Sequence, residues 1–442
     1  MNRIKIPIYI YLFLATVLCI IIFPYELFSK KSIKSENEAS ERVIIPNSIN
    51  KTISNEAFLF PETESFDKYI KWFIQRWDIK GASLAIMKDG KIVYCKGYGW
   101  ANKEDSISMD AGNILRVASL SKLITATAIM KLREDNKLSL SDKVFGEDGI
   151  LNDAIFDEIK DKRARQITVE HLLRHRGGFG LQRGDPLFSI RDIMIWEDME
   201  EVPDTDGIIQ YALSQRLNYT PGTGTKYSNL GYLILSKIIE VKSGLPYEEY
   251  CQKYILEEAG VYDMHLAKNL YKDRYINEVK YYETYDAEPI PVFDKNIADT
   301  LYRSYGGNNI EGLYGAGGWV SSPVEFLKFI HSINNMDDDT DILYSSSINK
   351  MKSNASNLLP IGWVRASNNG DWLRTGSLAG SSAVAKNQRN GISWVFITNT
   401  SSWKGSGFTR YIESMMRKAL GKIKLDELPE YNYIADTKEK TE

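Results

Sequence analysis

The chain has 442 residues, 43% of them hydrophobic and 26% charged, with a net charge of −3. This is a globular composition with material for a sizeable core, not that of a disordered or collagen-like chain. The slight acidic balance gives no electrostatic footprint for nucleic acid. Three cysteines, Cys19, Cys95 and Cys251, are too few for a disulfide scaffold; Cys95 and Cys251 could pair, and the alternative, two buried free thiols, is preferred.

The first element is apolar. Arg3 and Lys5 precede Ile6 to Phe23, a run without Asp, Glu, Lys, Arg or His that Pro24 ends. Eighteen such residues as a helix just cross about 27–30 Å of hydrocarbon. No small-residue cleavage site follows, so residues 1–28 read as a membrane anchor in preference to a cleaved signal segment. Basic residues before the span and a long domain after it place the N-terminus inside. The expectation is a single-pass protein of the inner (cytoplasmic) membrane, its domain periplasmic or extracellular. Residues 29–62 are polar and read as a linker.

The domain is expected over residues 63–421. In "SFDKYIKWFIQRW" apolar residues recur at helical spacing after Ser65, a candidate cap. Two strand-like runs flank Asp89-Gly90, a tight hairpin signal. A helix follows from about Ser119 to Asp135. Residues 130–345 carry helical patterns ("TVEHLLRH", "GYLILSKIIEVKSG", "PVEFLKFIHSI") broken by Gly- and Pro-rich loops. Strands return in "LPIGWVRA", "DWLRT", "SSAVAKNQ" and "GISWVFITN", with a turn at Asn390-Gly391, and a helix over 408–420 closes the domain. Residues 422–442 form a polar tail. The pattern predicts an α/β (α+β) fold in which N- and C-terminal strands share one antiparallel sheet flanked by helices, with a mainly helical lobe inserted. A site is then expected between the lobes.

Within "RVASLSKLITATAIMKL", Ser119 and Lys122 are three residues apart and share a helix face. That helix is apolar nearly all round and therefore buried. Burial lowers a lysine's pKa, and such an amine can take a proton from a neighbouring hydroxyl. Ser-x-x-Lys also occurs at Ser65, Ser347 and Ser401, in amphipathic or polar surroundings. The bland alternative for Ser119 and Lys122 is a helix cap with a snorkelling lysine. Two more patterns follow: Tyr227-Ser228-Asn229 before an apolar helix, and Arg374-Thr375-Gly376-Ser377 among strands. A second Tyr-x-Asn, Tyr275 to Asn277, lies in a charged stretch and reads as surface.

Taken in order, Ser-x-x-Lys, Tyr-x-Asn and basic-Thr-Gly resemble the serine β-lactamase and penicillin-binding-protein superfamily, in particular its class C β-lactamases, D,D-carboxypeptidases and related esterases. "ITVEHLLRH" and "GAGGWVSSPVEFLKFI" extend the resemblance to about residues 63–421. It implies a β-lactamase/transpeptidase-like fold. It also implies Ser119 as acylated nucleophile, Lys122 as its proton acceptor or relay, and Tyr227 exchanging a proton with the leaving group and activating water. Asn229 would hold the substrate amide, and the backbone amides of Ser119 and Ser377 would form the oxyanion hole. Arg374, Thr375 and Gly376 would bind substrate. Arg374 departs from the usual Lys or His; it keeps the charge, can grip a carboxylate bidentately, and cannot shuttle protons. The expected substrates are D-amino-acid peptides of peptidoglycan type, β-lactams or small esters; the alternative is a non-catalytic sensor or scaffold binding cell-wall fragments. No cofactor is expected, since every role uses protein groups. His171 and His175, four apart on a predicted helix, could hold zinc by spacing, but no His-Glu-x-x-His is present and no metal is expected.

Overall fold

The computed structural model describes residues 48–180, 183–335, 340–353, 358–367 and 370–431. The apolar run Ile6–Phe23 and Cys19 lie outside these residues. Among the described residues no helix is long and apolar enough to cross a membrane.

The chain enters through short 3₁₀ turns and helix α1 (Glu64–Arg76). Ser65 is the second residue of α1 and not its cap; the 3₁₀ turn Pro61–Thr63 leads in instead. The hairpin β1 (Gly81–Lys88) and β2 (Lys91–Asn102) turns on Asp89 and Gly90, with φ of 47° and 80°. Two positive φ values at the central pair match the right-handed strand twist, which is why Asp-Gly works here. Short strands β3 (Ile107–Ser108) and β4 (Leu115–Arg116) lead to α2 (Ser121–Glu134).

The inserted lobe holds α3 (Val169–Leu173), α4 (Ile190–Trp196), α5 (Thr205–Leu213), α6 (Asn229–Ser243) and α7 (Tyr247–Cys251), with the short strands β5 (His265–Leu266), β6 (Ile290–Pro291) and β7 (Thr300–Leu301). After β8 (Trp319–Ser321) come α8 (Pro323–His331), α9 (Ser345–Lys352), β9 (Arg365–Ala366), β10 (Trp372–Leu378), β11 (Ser381–Asn387), β12 (Ile392–Thr398) and α10 (Phe408–Leu420).

The main sheet runs β3-β2-β1-β12-β11-β10-β9 and is antiparallel throughout, so the N-terminal hairpin joins the C-terminal strands along the β1–β12 seam. Its register sorts the two faces. Lys96, Leu84, Phe396 and Val384 are successive cross-strand partners on one face. Lys96 grips Asp67 of α1 at 2.6 Å, and Lys386, two residues beyond Val384, grips Glu413 of α10 at 3.0 Å. Both terminal helices therefore cover that face. Cys95, Ala85, Val395, Ala385 and Arg374 line the other face, toward the lobe. Covered on both sides, β1 is a continuous buried run and not an alternating one.

Two boundaries differ from the sequence reading. The last part of the expected linker is packed: Ile49, Ile53 and Phe58 are buried, and Ser48 donates to Glu325 of α8 at 3.0 Å. The first part of the expected tail is packed too, with Leu425 and Leu428 buried and Tyr431 bridged to Ile92. In both stretches a few apolar side chains supply the burial that a polar average conceals. Cys95 and Cys251 are free and buried.

Candidate active site

Ser119 sits in a 3₁₀ turn (Ala118–Leu120) that runs into α2, one step earlier than a regular helix start. Ala118 holds φ 51°, a left-handed conformation costly for a residue with a Cβ. This turn lifts the half-buried Ser119 to the cleft while α2 stays buried. Every residue of α2 from Ser121 to Met130 is buried, Lys122 included.

Lys122 Nζ donates to Asn229 Oδ1 at 2.7 Å, to the carbonyl of Ala316, and to Ser119 Oγ at 3.3 Å. Burial pulls its pKa down to about 8, with the Arg374 charge adding to the effect and Tyr227 opposing it.

Tyr227 lies just before α6, whose N-cap Ser228 accepts from the amide of Gly231. Its side chain is 42% exposed, yet its hydroxyl turns inward, 2.8 Å from Ser119 Oγ and 3.0 Å from Arg374 Nη2. Burial of that hydroxyl opposes ionisation, but Lys122 and then Arg374 outweigh it and hold the phenol at about 8. Lys122 and Tyr227 thus titrate as one coupled pair around the same pH.

Asn229 accepts from Lys122 and donates to Asp185 Oδ2 at 2.7 Å. Both ends of its amide are held, so it is fixed within the cleft wall.

Arg374 projects from β10 and is buried. Its Nε donates to the carbonyl of Ser119 at 2.7 Å and its Nη2 to Tyr227. Among the described residues it bonds no carboxylate. Two donor atoms of the guanidinium, Nε and Nη2, are engaged by the Ser119 turn and the phenol. Gly376 explains how β10 comes so close. A Cβ there would lie 2.5 Å from the carbonyl of Val117 and 3.0 Å from the amide of Ser119. Only glycine lets the strand carry Ser377 against the Ser119 turn.

Ser119, Tyr227, Asn229, Arg374, Thr375, Gly376 and Ser377 together line one cleft of about 380 Å³. It shares Phe188 and Ser377 with a second hollow of about 530 Å³, which Glu283, Arg303 and Trp403 also border. The distant segments named from sequence thus converge on one hydroxyl, one amine, one phenol and one guanidinium.

Two neighbours were not singled out for this site. His175 follows the short helix α3, which ends at Leu173, and takes φ 59°. It does not share a helix face with His171, whose Nδ1 instead accepts from the amide of Thr168 in a capping box. The buried His175 ring lies under Tyr227, centroids 4.5 Å apart, and its Nδ1 accepts from the amide of Ser228. Burial, with Lys122 and Arg374 nearby, holds its pKa well below the ordinary value, so it is a neutral floor for the phenol. Asp185 caps the turn Pro186–Phe188 while gripping Asn229; Asp-Pro in "GDPLF" signalled the cap, but nothing signalled the partner. The second Tyr-x-Asn is not surface: Tyr275 is buried, its hydroxyl bonded to the carbonyl of Leu266. Ser347 is likewise buried, accepting from Arg133.

A model of the family described as Beta-lactamase matches residues 66–413. Penicillin-binding protein 4* of Bacillus subtilis (strain 168) is 24% identical over 299 residues, covering 66% of this chain and 60% of that protein. The octameric penicillin-binding protein homologue from Pyrococcus abyssi has a TM-score of 0.60 at 26% identity, covering 84% of this chain and 79% of its own. D-amino acid amidase from Ochrobactrum anthropi SV3, complexed with L-phenylalanine amide, has a TM-score of 0.64 at 20% identity, over 82% of this chain and 98% of the amidase; that likeness is one of fold. The chain spans about half the length of the curated relatives it matches.

Proposed function

This chain belongs to the β-lactamase family, and on that premise we propose that it is a serine hydrolase working through an acyl-enzyme on Ser119. The substrates we propose are D-amino-acid amides and peptides of peptidoglycan type, with β-lactams and small esters as further acylating agents. The observation that carries the reading is the ring of donors around Ser119 Oγ: Tyr227 Oη at 2.8 Å and Lys122 Nζ at 3.3 Å, both groups brought to a pKa of about 8.

With one proton removed from the Lys122–Tyr227 pair, the pair accepts the hydroxyl proton of Ser119. Oγ then attacks the substrate carbonyl carbon, and the carbonyl electron pair moves onto oxygen. The amides of Ser119 and Ser377 stabilise that oxyanion, a role in which one lost donor costs about 10²–10³ in rate. Collapse expels the amine, which takes the proton back from the pair. Water then enters by the same proton route, releasing the acid and restoring Ser119. Arg374 contributes charge and position; it moves no proton.

Under the same proposal, residues 6–23 tie the domain to the outer side of the cytoplasmic membrane, where cell-wall peptides are found.

The test is a turnover panel of a D-amino acid amide, a D-Ala-D-Ala peptide, a chromogenic cephalosporin and a nitrophenyl ester, with Ser119→Ala as control. Turnover of at least one substrate that disappears in the Ala variant is the expected result. A wild-type chain that turns over none and takes no label from fluorescent penicillin or a fluorophosphonate would instead be a non-catalytic binder.

A further inference from the structure

The helices covering the other sheet face carry a surface whose exposed rings touch none of the groups around Ser119, although the start of α10 and the turn before it reach the cleft through Thr409 and Ser406. It is built by α1, α10 and the loop before α10. Three large aromatics stand out from it: Trp72 is 50% exposed, Trp403 68% and Tyr411 42%. They pack on neighbouring rings. Trp77 stacks on Trp403 at 6.0 Å and meets Tyr411 at 4.7 Å, and Tyr69 stacks on Trp72 at 5.6 Å. Burying such rings in water-excluded surroundings is favourable, so a contiguous exposed cluster marks an interaction face.

Cations frame the rings. Lys404 lies over Trp403 at 3.8 Å, Lys422 over Tyr69 at 5.3 Å and Arg76 over Trp72 at 5.7 Å. Residues 403–422 carry five basic side chains and one acid, in a chain whose net charge is −3. That acid, Glu413, is already bound by Lys386 and Arg365. Of the four acids on or beside α1, Asp67 is held by Lys96 and Asp78 by Lys80, and Glu62 and Glu64 lie at the far, N-terminal end. The face is locally cationic on an acidic protein.

We propose that this α1–α10 face docks on an anionic phospholipid surface. Interfacial Trp and Tyr at headgroup depth, with Lys and Arg reaching phosphates around them, are the chemistry such a surface selects. Residues 64–77 and 403–422 form this face, whether or not residues 6–23 span a membrane. Docking in this orientation leaves the Ser119 side of the sheet facing away from the lipid. Because Trp403 also borders the hollow beside the nucleophile, the rim of that hollow comes to headgroup level.

The experiment compares the full chain on phosphatidylcholine vesicles with and without phosphatidylglycerol, reading the acetylation rate of Lys418 and Lys422 by mass spectrometry. Any attachment through residues 6–23 is common to both lipids, so the difference reports the face. The expected result is acetylation slowed at least fivefold with phosphatidylglycerol, and restored by high salt. The variant Lys71→Gln/Arg76→Gln/Arg410→Gln, which removes three exposed charges of α1 and α10, weakens docking about fivefold per charge removed. It loses the protection while its hydrolysis of a soluble substrate is unchanged. Equal rates in the two lipids, or protection by soluble peptidoglycan fragments in place of phosphatidylglycerol, would overturn the proposal.

Discussion

Arg374→Gln tests the electrostatics of the site. The guanidinium lies 3.0 Å from the Tyr227 hydroxyl, is buried, and bonds no carboxylate among the described residues. A cation this close favours phenolate, and such a neighbour shifts a pKa by about 1–3 units. Its removal therefore moves the phenol from about 8 back toward its ordinary value of 10.0, and also relieves the charge that helps depress Lys122. Both changes displace the ascending limb of the pH–rate profile to higher pH. At neutral pH the acylation rate falls about 10- to 10³-fold, while at high pH most of it returns, because one pKa unit is a factor of ten. Arg374→Lys keeps the charge but loses the Nε bond to Ser119, so it keeps the limb near 8 at a lower plateau. The assay is the second-order rate of acylation from pH 6 to pH 10, using whichever acylating probe reacts. If the Gln variant is slower by the same factor at every pH, Arg374 acts through position alone and the electrostatic account fails. The same substitution removes a buried cation facing another, so melting temperature is expected to hold or rise while activity drops.

Three further outcomes follow from the geometry. Gly376→Ala places a methyl group 2.5 Å from one backbone atom and 3.0 Å from the amide of Ser119; acylation should fall at least about 10²-fold, because backbone cannot step aside and the oxyanion donors separate. Asp185→Asn removes a charge that raises the Lys122 pKa and weakens the grip on Asn229, so the pH limb should move down and KM should rise; an unchanged profile and KM would assign Asp185 to capping alone. The third concerns stability. The folded Lys122–Tyr227 pair gives up a proton at about 8, whereas in the unfolded chain the amine and the phenol hold theirs to 10.5 and 10.0, so between those values the unfolded chain binds more protons and the pair adds stability as pH rises. Melting temperature measured from pH 8 to pH 10 should therefore climb more, or fall less, in wild type than in Lys122→Met/Tyr227→Phe; identical slopes would contradict the depressed pair.

What could be read in advance divides along physical lines. The shared antiparallel sheet was legible from strand-like apolar runs at the two ends, turned by Asp89-Gly90 and Asn390-Gly391. The extent of α10 was legible because its apolar side chains recur at helical spacing. Ser119 and Lys122 were legible because a lysine inside an otherwise buried helix demands a partner. The orientation of Arg374 was not: its strand pairs locally with β11, but which face of that hairpin meets Ser119 and Tyr227 depends on segments 255 and 147 residues away in the chain. His175 was invisible for a related reason. Its left-handed φ ends α3 early and turns the ring under Tyr227, and neither consequence follows from the four-residue spacing to His171. Asp185 is seen to matter only once Asn229 is beside it. Residues 48–62 looked like linker because Ile49, Ile53 and Phe58 are diluted among polar neighbours.

The most direct measurement of the central claim is the intact mass of the full chain after brief exposure to a penicillin, followed by peptide mapping. The account predicts a single added acyl group on the peptide carrying Ser119, formed faster as pH rises through about 8 and absent in Ser119→Ala. An adduct on any other residue, or one that persists in the Ala variant, would contradict it.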